Sequence, residues 1–122
     1  MRKAEIEQHK QTIRTFLSKL TQTSLLRVQQ TPQANWIAGV FYKEYSNGKT
    51  CRCLIGIVQD WKVDQDGILQ SNDNAAISPL HHKPSYEFDA LYLHWGPRNT
   101  VNFIKQEAAL LLTRKGKPCL PR

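Results

Sequence analysis

The residues best suited to catalysis in this 122-residue chain are Glu44 and the triplet Asp60-Trp61-Lys62, in which an acidic residue and a lysine are separated by one position. In many metal-dependent nucleases two carboxylates hold Mg²⁺ while a lysine stabilises the developing charge. With a turn at Asn47-Gly48, Glu44 would lie beside the turn and Asp60 near the far end of the return strand. At about 3.3 Å per residue the two carboxylates would be roughly 25–30 Å apart. The predicted spacing therefore argues against catalysis, and a metal-dependent nuclease is kept only as a further alternative.

Cysteine and histidine residues are the next candidates, as ligands of zinc. Cys51 and Cys53 project from the same face of one predicted strand, and His81-His82 and Cys119 could add ligands. Cysteines separated by one residue lack the geometry of a Cys-x-x-Cys unit. We therefore expect small buried thiols in the core and no bound metal.

An acidic turn offers a calcium-like spacing at Asp64-x-Asp66-Gly67, with Asp73 further on. The first position of an EF-hand loop would then be Lys62, a cation where the ion needs a carboxylate. An ordinary Asp-Gly turn explains the segment better. No nucleophile elbow and no glycine-rich phosphate loop occur, so the sequence predicts neither covalent catalysis nor a cofactor.

Positive charge is the strongest functional signal in the chain. The net charge is +7, and it is unevenly distributed: residues 1–30 carry six basic and two acidic side chains, and residues 98–122 carry six and one. The middle, 31–97, carries five basic and seven acidic side chains. A polyanionic partner would therefore meet the two ends of the chain.

Length and composition predict one domain over 1–117 with a short tail over 118–122. The three cysteines suggest no disulfide framework and favour a reducing compartment. The charged N-terminus has no apolar signal core, and no apolar run approaches the ~18 residues of a membrane span. These features predict a cytoplasmic protein without a membrane segment.

A long hairpin is the element expected to position the rest of the chain. Residues 36–45 and 50–63 are rich in β-branched and aromatic side chains and flank Asn47-Gly48, a dipeptide suited to a type I′ turn. Each run alternates between a more apolar and a mixed face. An isolated hairpin is marginal in water, so it should need further strands and helices to cover it.

The neighbouring segments are expected to supply that cover. Apolar spacing predicts helices over about 3–20 and 100–115, and alternation predicts strands over 24–30 and 86–95. A turn is expected at 31–35 and a long loop at 71–85. The predicted fold is therefore α+β: an antiparallel sheet of about four strands with N- and C-terminal helices, in the order α-β-β-β-β-α as a two-layer sandwich.

Basic helices and aromatic side chains on a sheet face together favour a small, non-catalytic protein that binds RNA or DNA, or a subunit of a nucleoprotein complex. The alternative is a protein-interaction subunit or adaptor whose aromatic sheet face is covered by a partner. The residues expected at a nucleic-acid interface are Lys10, Arg14, Arg98, Lys105, Arg114, Lys115, Lys117, Phe88 and Tyr92.

Overall fold

Helices dominate the part of the chain that the computed structural model describes, which is residues 2–63, 65–66, 69–71 and 82–115, without the side chains of 63, 69–71, 82 and 115. The α-helices in these ranges are α1 (Lys3–Ser18), α2 (Gln22–Gln30), α3 (Leu54–Val58), α4 (His82–His94) and α5 (Pro97–Lys115). The predicted tail at 118–122 lies outside the described residues, as does most of the predicted loop at 71–85.

The predicted four-stranded α+β sandwich is wrong. The strands of the described residues form two separate antiparallel pairs. In the first, β1 (Lys43–Glu44) pairs with β2 (Thr50–Cys51); in the second, β3 (Trp61–Val63) pairs with β4 (Leu69–Ser71). Strands this short cannot form the layer on which the sandwich depended, and the core lies between helices instead.

The two predicted terminal helices are confirmed. α1 buries Ile13, Phe16 and Leu17 along one stripe, as the apolar spacing predicts. α5 begins at Pro97, about three residues earlier than predicted. Proline suits the first turn of a helix, because its fixed φ is already helical and its missing N–H would lack an intrahelical partner.

Residues 24–30 form most of α2 and not a strand. The Thr21 side chain caps the helix by accepting a hydrogen bond from the Ser24 N–H at 3.2 Å. Leu25 and Val28, three residues apart, are fully buried, whereas Leu26 between them is 39% exposed. Burial at a spacing of three residues is typical of a helix. The sequence did not show this spacing, because Leu26 is apolar as well and makes the segment resemble a short strand.

Residues 86–95, also predicted as a strand, lie mostly within α4. Phe88 and Leu91 are fully buried, and Tyr92 and Trp95 are partly buried against the same core. These four residues follow the helical spacing i, i+3, i+4, i+7. The strict alternation seen in the sequence was coincidental, because burial decides which of two overlapping periodicities the chain adopts.

The central hairpin is much shorter than predicted, because the backbone turns away before and after it. Gly39 has φ of +90°, and its N–H donates to Asp89 Oδ1 on α4 at 3.1 Å, which ends any continuous strand from 36 to 45. The connecting loop is also different. Gly48 alone takes a positive φ, of +86°, and its N–H donates to the Tyr45 carbonyl at 2.9 Å. This is a three-residue loop with a glycine bulge rather than a type I′ turn.

Helix α3 replaces the return strand of the predicted hairpin. Cys53 precedes it, and the Cys53 Sγ accepts a hydrogen bond from the Gly56 N–H at 3.5 Å. All five residues of α3 are buried. Arg27 on α2 secures its other end by donating to the carbonyls of Ile57 and Val58, at 3.2 and 2.5 Å. Last-turn carbonyls without intrahelical donors are satisfied in this way.

The helices pack in pairs that are distant along the chain, since α1 lies against α4 and α2 lies against α5 and α3. Their apolar stripes meet in one core of buried side chains. Its fully buried members include Ile13, Leu17, Leu25, Val28, Leu54, Phe88, Leu91, Val101 and Ile104. The interpretation of Cys51 and Cys53 as buried thiols is confirmed, as they are 3% and 2% exposed and both are free.

Alkaline pH is expected to weaken the fold through Cys53. Burial raises the pKa of this thiol from 9.0 to about 11. The unfolded chain therefore loses the thiol proton first, and stability that is complete below pH 9 falls between pH 9 and 11, by roughly 2–3 kcal/mol. Urea unfolding at pH 8 and 10.5 measures the loss. Cys53→Ser is the matched control, since its hydroxyl can cap α3 without ionising; an equal loss in both proteins would contradict the assignment.

Candidate nucleic-acid interface

The two basic residues predicted on α1, Lys10 and Arg14, lie against aromatic side chains of α5 and of the residues just before it. Lys10 Nζ is 5.1 Å from the Trp95 ring centroid and 5.0 Å from that of Phe103, and the Arg14 guanidinium is 5.1 Å from the latter. Arg14 Nε also lies 3.4 Å from a carboxylate oxygen of Glu107. The Lys10 and Arg14 side chains are only 17% and 35% exposed, so these two cations stabilise the contact between α1 and α5 and are less accessible to a phosphate than a fully exposed lysine.

The basic residues of α5 do not form one surface. Because an α-helix advances by about 100° per residue, Arg98 and Lys105 share one flank, while Phe103 and Arg114 share another about 160° away. Lys10 and Arg14 lie on the Phe103 side. The basic residues that the sequence analysis assigned to one interface therefore lie on two sides of α5.

Two of the predicted residues fall at or beyond the end of the described ranges. Lys115 is the last residue of α5, and its side chain is not described. Lys117 lies outside the described residues. Arg98 and Arg114 are both exposed and contribute positive charge to the surface of α5.

The two aromatic residues predicted to stack on bases are structural in this fold. Phe88 has 0% exposure and packs beside Trp36 and Tyr92, with ring centroids 5.9 and 5.5 Å away. The Tyr92 hydroxyl donates to the Trp36 carbonyl at 3.1 Å, and burial raises the pKa of Tyr92. The Phe88 ring thus has no face open to a base, and Tyr92 is held by the core.

A set that the sequence analysis did not select lies on the β1–β2 hairpin. Tyr45 is 37% exposed at its tip. Lys43 Nζ and Lys49 Nζ lie 5.1 and 5.8 Å from the centroid of the Tyr45 ring. An exposed ring with two ammonium groups beside it combines a stacking surface with phosphate-binding charge.

A second cation–aromatic pair lies at the base of the hairpin on its other face, because Tyr42 and Arg52 alternate with Lys43 and Cys51 along the paired strands. The Arg52 guanidinium lies 5.0 Å from the Tyr42 ring centroid, and the Tyr42 hydroxyl donates to Glu44 Oε2 at 3.1 Å. Partial burial, with the hydrogen bond to Glu44, raises the pKa of Tyr42. We define the hairpin patch as the cation–aromatic residues on the two faces of this hairpin: Tyr42, Lys43, Tyr45, Lys49 and Arg52.

A local charge count could have revealed the hairpin patch. Residues 42–52 carry three basic side chains and one acidic side chain, yet they belong to the middle of the chain, which is acidic when averaged from 31 to 97. The three-residue loop brings Lys49 back beside Tyr45, because the Tyr45 N–H donates to the Lys49 carbonyl at 2.8 Å. Only the actual register places both lysines at one ring.

A polar cleft of about 280 Å³ adjoins the hairpin patch at its base. It lies between the end of α2, the 3-10 helix Gln33–Asn35 and the start of β3. Two arginines, Arg27 and Arg52, face it together with Asp60. Asp60 has φ of +52°, a left-handed conformation that aspartate tolerates better than most residues.

The candidate metal ligands from the sequence are only partly within the described ranges. Asp60 Oδ2 lies 3.7 Å from Lys62 Nζ, so these two members of the nuclease-like set form an ion pair with each other. Within residues 2–63, 65–66, 69–71 and 82–115, no three histidine, cysteine or acidic side chains are close enough to hold a metal ion. His81 and Cys119 lie outside the described residues, and the side chain of His82 is not described.

The chain matches no protein-family model, no curated protein and no solved structure. None of the helices in the described ranges is both long and apolar enough to cross a lipid bilayer.

Proposed function

We propose that this protein binds single-stranded nucleic acid through the hairpin patch, without catalysing a reaction on it. The observation that carries the proposal is the exposed Tyr45 ring with Lys43 and Lys49 beside it. A base can stack on the tyrosine while the ammonium groups turn outward to the flanking phosphates, since lysine side chains are long and flexible. Arg52 extends the positive charge along the same hairpin.

The chemistry of the patch favours single strands over duplexes. Stacking on an aromatic ring requires an unpaired base with an open face, and each such stack contributes about 1–3 kcal/mol. Lysines contact phosphates regardless of base, so binding should be weakly selective for sequence. The net charge of +7 adds long-range attraction, to which exposed Arg98 and Arg114 contribute.

Replacing Tyr45 by alanine is expected to weaken binding to a labelled single-stranded oligonucleotide by about five- to a hundredfold, the equivalent of one lost stack. Duplex binding should change much less. Tyr86→Ala is the matched control, because Tyr86 is a more exposed tyrosine (74%) on a different element, α4. Fluorescence anisotropy with RNA and DNA of the same sequence measures the oligonucleotide affinity of the unaltered protein and of the two variants.

The lysines have a separate signature in the same assay. Replacing Lys43 and Lys49 together by glutamine should lower the slope of log affinity against log salt by about 1.4, or about 0.7 per phosphate contact on a single strand. A slope equal to that of the unaltered protein would show that these lysines do not touch phosphate. Equal losses for Tyr45→Ala and Tyr86→Ala would contradict the role of the hairpin.

A second function, contact with another protein, is favoured by one observation on α4. Tyr86 and Leu93 are seven residues apart, share one face of the helix, and are 74% and 70% exposed. Large exposed apolar side chains in one stripe are typical of an interaction surface. The aromatic sheet face expected from the sequence is not that surface, because residues 86–94 are helical. Absence of any oligonucleotide binding at low salt would favour this second function.

A further inference from the structure

The polar cleft at the base of the hairpin offers more hydrogen-bond donors than the protein itself uses. Arg52 donates through Nε to the Trp61 carbonyl at 2.5 Å, and its two Nη groups have no hydrogen-bond partner among the described residues. Asn35 uses one of its two amide N–H groups, donating to the Thr50 carbonyl at 2.7 Å. An amide nitrogen carries two donors, so one remains for a ligand.

Arg27 contributes charge rather than a mobile donor. Its guanidinium holds the carbonyls at the end of α3 and also donates to Ser24 Oγ at 3.3 Å. Arginine stays protonated in proteins, so Arg27 adds a positive charge to the cleft lining. Asp60 is the acidic residue of the lining, and its carboxylate lies close to Lys62. The lining thus carries two arginines and one aspartate, and this excess of positive charge favours an anion.

We infer that this cleft binds a phosphate group, supplied by the same strand that the hairpin patch holds. The inference rests on the proposed function, and Arg52 connects the two because it belongs both to the patch and to the cleft lining. The two Nη groups of an arginine match two phosphate oxygens in a bidentate contact. The second Asn35 N–H supplies a neutral donor to the same group. A volume of about 280 Å³ is sufficient for a phosphate with part of its sugar.

The direct test is a titration of the protein with a nucleoside 5′-monophosphate, with the unphosphorylated nucleoside as its control. The side-chain NH₂ signals of Asn35 in a ¹H–¹⁵N correlation spectrum report on the cleft. We expect these signals to move saturably with the monophosphate and to remain in place with the nucleoside. Signals that do not move with either, or that move equally with both, would overturn the inference.

Charge changes at Gln30 provide a second test that leaves the fold intact, because Gln30 is exposed at the end of α2 and lines the rim of the cleft. Gln30→Glu should weaken and Gln30→Lys should strengthen binding of the monophosphate and the oligonucleotide, each by about two- to fivefold, as expected for an exposed charge pair. Equal affinities for the two variants would overturn the inference.

The outcomes separate this inference from the proposed function. If oligonucleotide binding depends on Tyr45 but not on the charge at position 30, the hairpin patch stands and the phosphate cleft does not. If the monophosphate moves the Asn35 signals while oligonucleotides do not bind, the phosphate comes from a free nucleotide. The strand would then be excluded as its source, and the proposed function would be wrong.

Discussion

Replacing Phe88 by alanine is expected to lower the free energy of unfolding by about 3–5 kcal/mol. The side chain is completely buried between Trp36 and Tyr92, so its removal loses apolar burial and leaves a cavity among rigid aromatic rings. For a domain that is stable by about 5–15 kcal/mol, a loss of this size leaves much of the protein unfolded on warming. Urea unfolding followed by circular dichroism measures the change.

Tyr86→Ala is the control for this substitution, because it removes a larger aromatic side chain from the same helix at a position that is 74% exposed. It should change the free energy of unfolding by less than about 0.5 kcal/mol. Phe88→Leu restores most of the volume, and it should bind oligonucleotide as the unaltered protein does. A selective loss of binding by a fully folded Phe88→Leu protein would restore the stacking role predicted from the sequence.

Replacing Gly56 by alanine is expected to destabilise the fold by about 3 kcal/mol, the upper end of the cost of overpacking a core. A Cβ at this position would overlap the carbonyl oxygen of Phe41 and lie 2.8 Å from its carbonyl carbon. Both atoms are backbone, so they cannot move aside as a flexible side chain could. Relief requires α3 to separate from the chain at Phe41, which stacks on Trp61 with ring centroids 5.4 Å apart.

Gly48→Ala distinguishes this steric effect from ordinary glycine strain. Gly48 has φ of +86°, and no atom lies within 4 Å of the point that a Cβ would occupy, so alanine there has room but adopts an unfavourable backbone conformation. That cost is about 1–2 kcal/mol. The midpoint temperature of thermal unfolding should therefore be lower for Gly56→Ala than for Gly48→Ala. The reverse order would mean that α3 does not approach Phe41 so closely.

The sequence predicted the terminal helices but not the middle of the chain. Helices α1 and α5 carry long apolar stripes with a single period, so local pattern and tertiary burial agree. In 86–95 the pattern fits two periods at once, and only packing of Phe88 and Leu91 against other helices selects the helical one. The segment from Leu54 to Val58 contains no polar residue, so its sequence has no periodicity that distinguishes a helix from a strand; in the structure it is a buried helix.

The candidate interface was less predictable than the fold for a related reason. The distribution of charge along the sequence indicated the two ends of the chain as the interface. Lys10 and Arg14, however, contact aromatic rings, and the sequence does not show that these rings lie beside them. Conversely, Lys49 reaches Tyr45 only through the bulged loop, whereas the expected type I′ turn would have shifted the register. Cation–aromatic contacts depend on register at the level of one residue, which composition does not specify.

The pairing of early helices with late ones has a consequence for the order in which the ribosome delivers them. Between the end of α2 at Gln30 and the start of α5 at Pro97 lie 66 residues. At a synthesis rate of about 5–20 residues per second, their translation takes roughly 3–13 s. During most of that interval the buried stripes of α1 and α2, with Leu17 and Leu25 among them, lack α4 and α5, the helices that complete their cover. The nascent chain is therefore expected to present a chaperone-binding surface until α4 and α5 emerge.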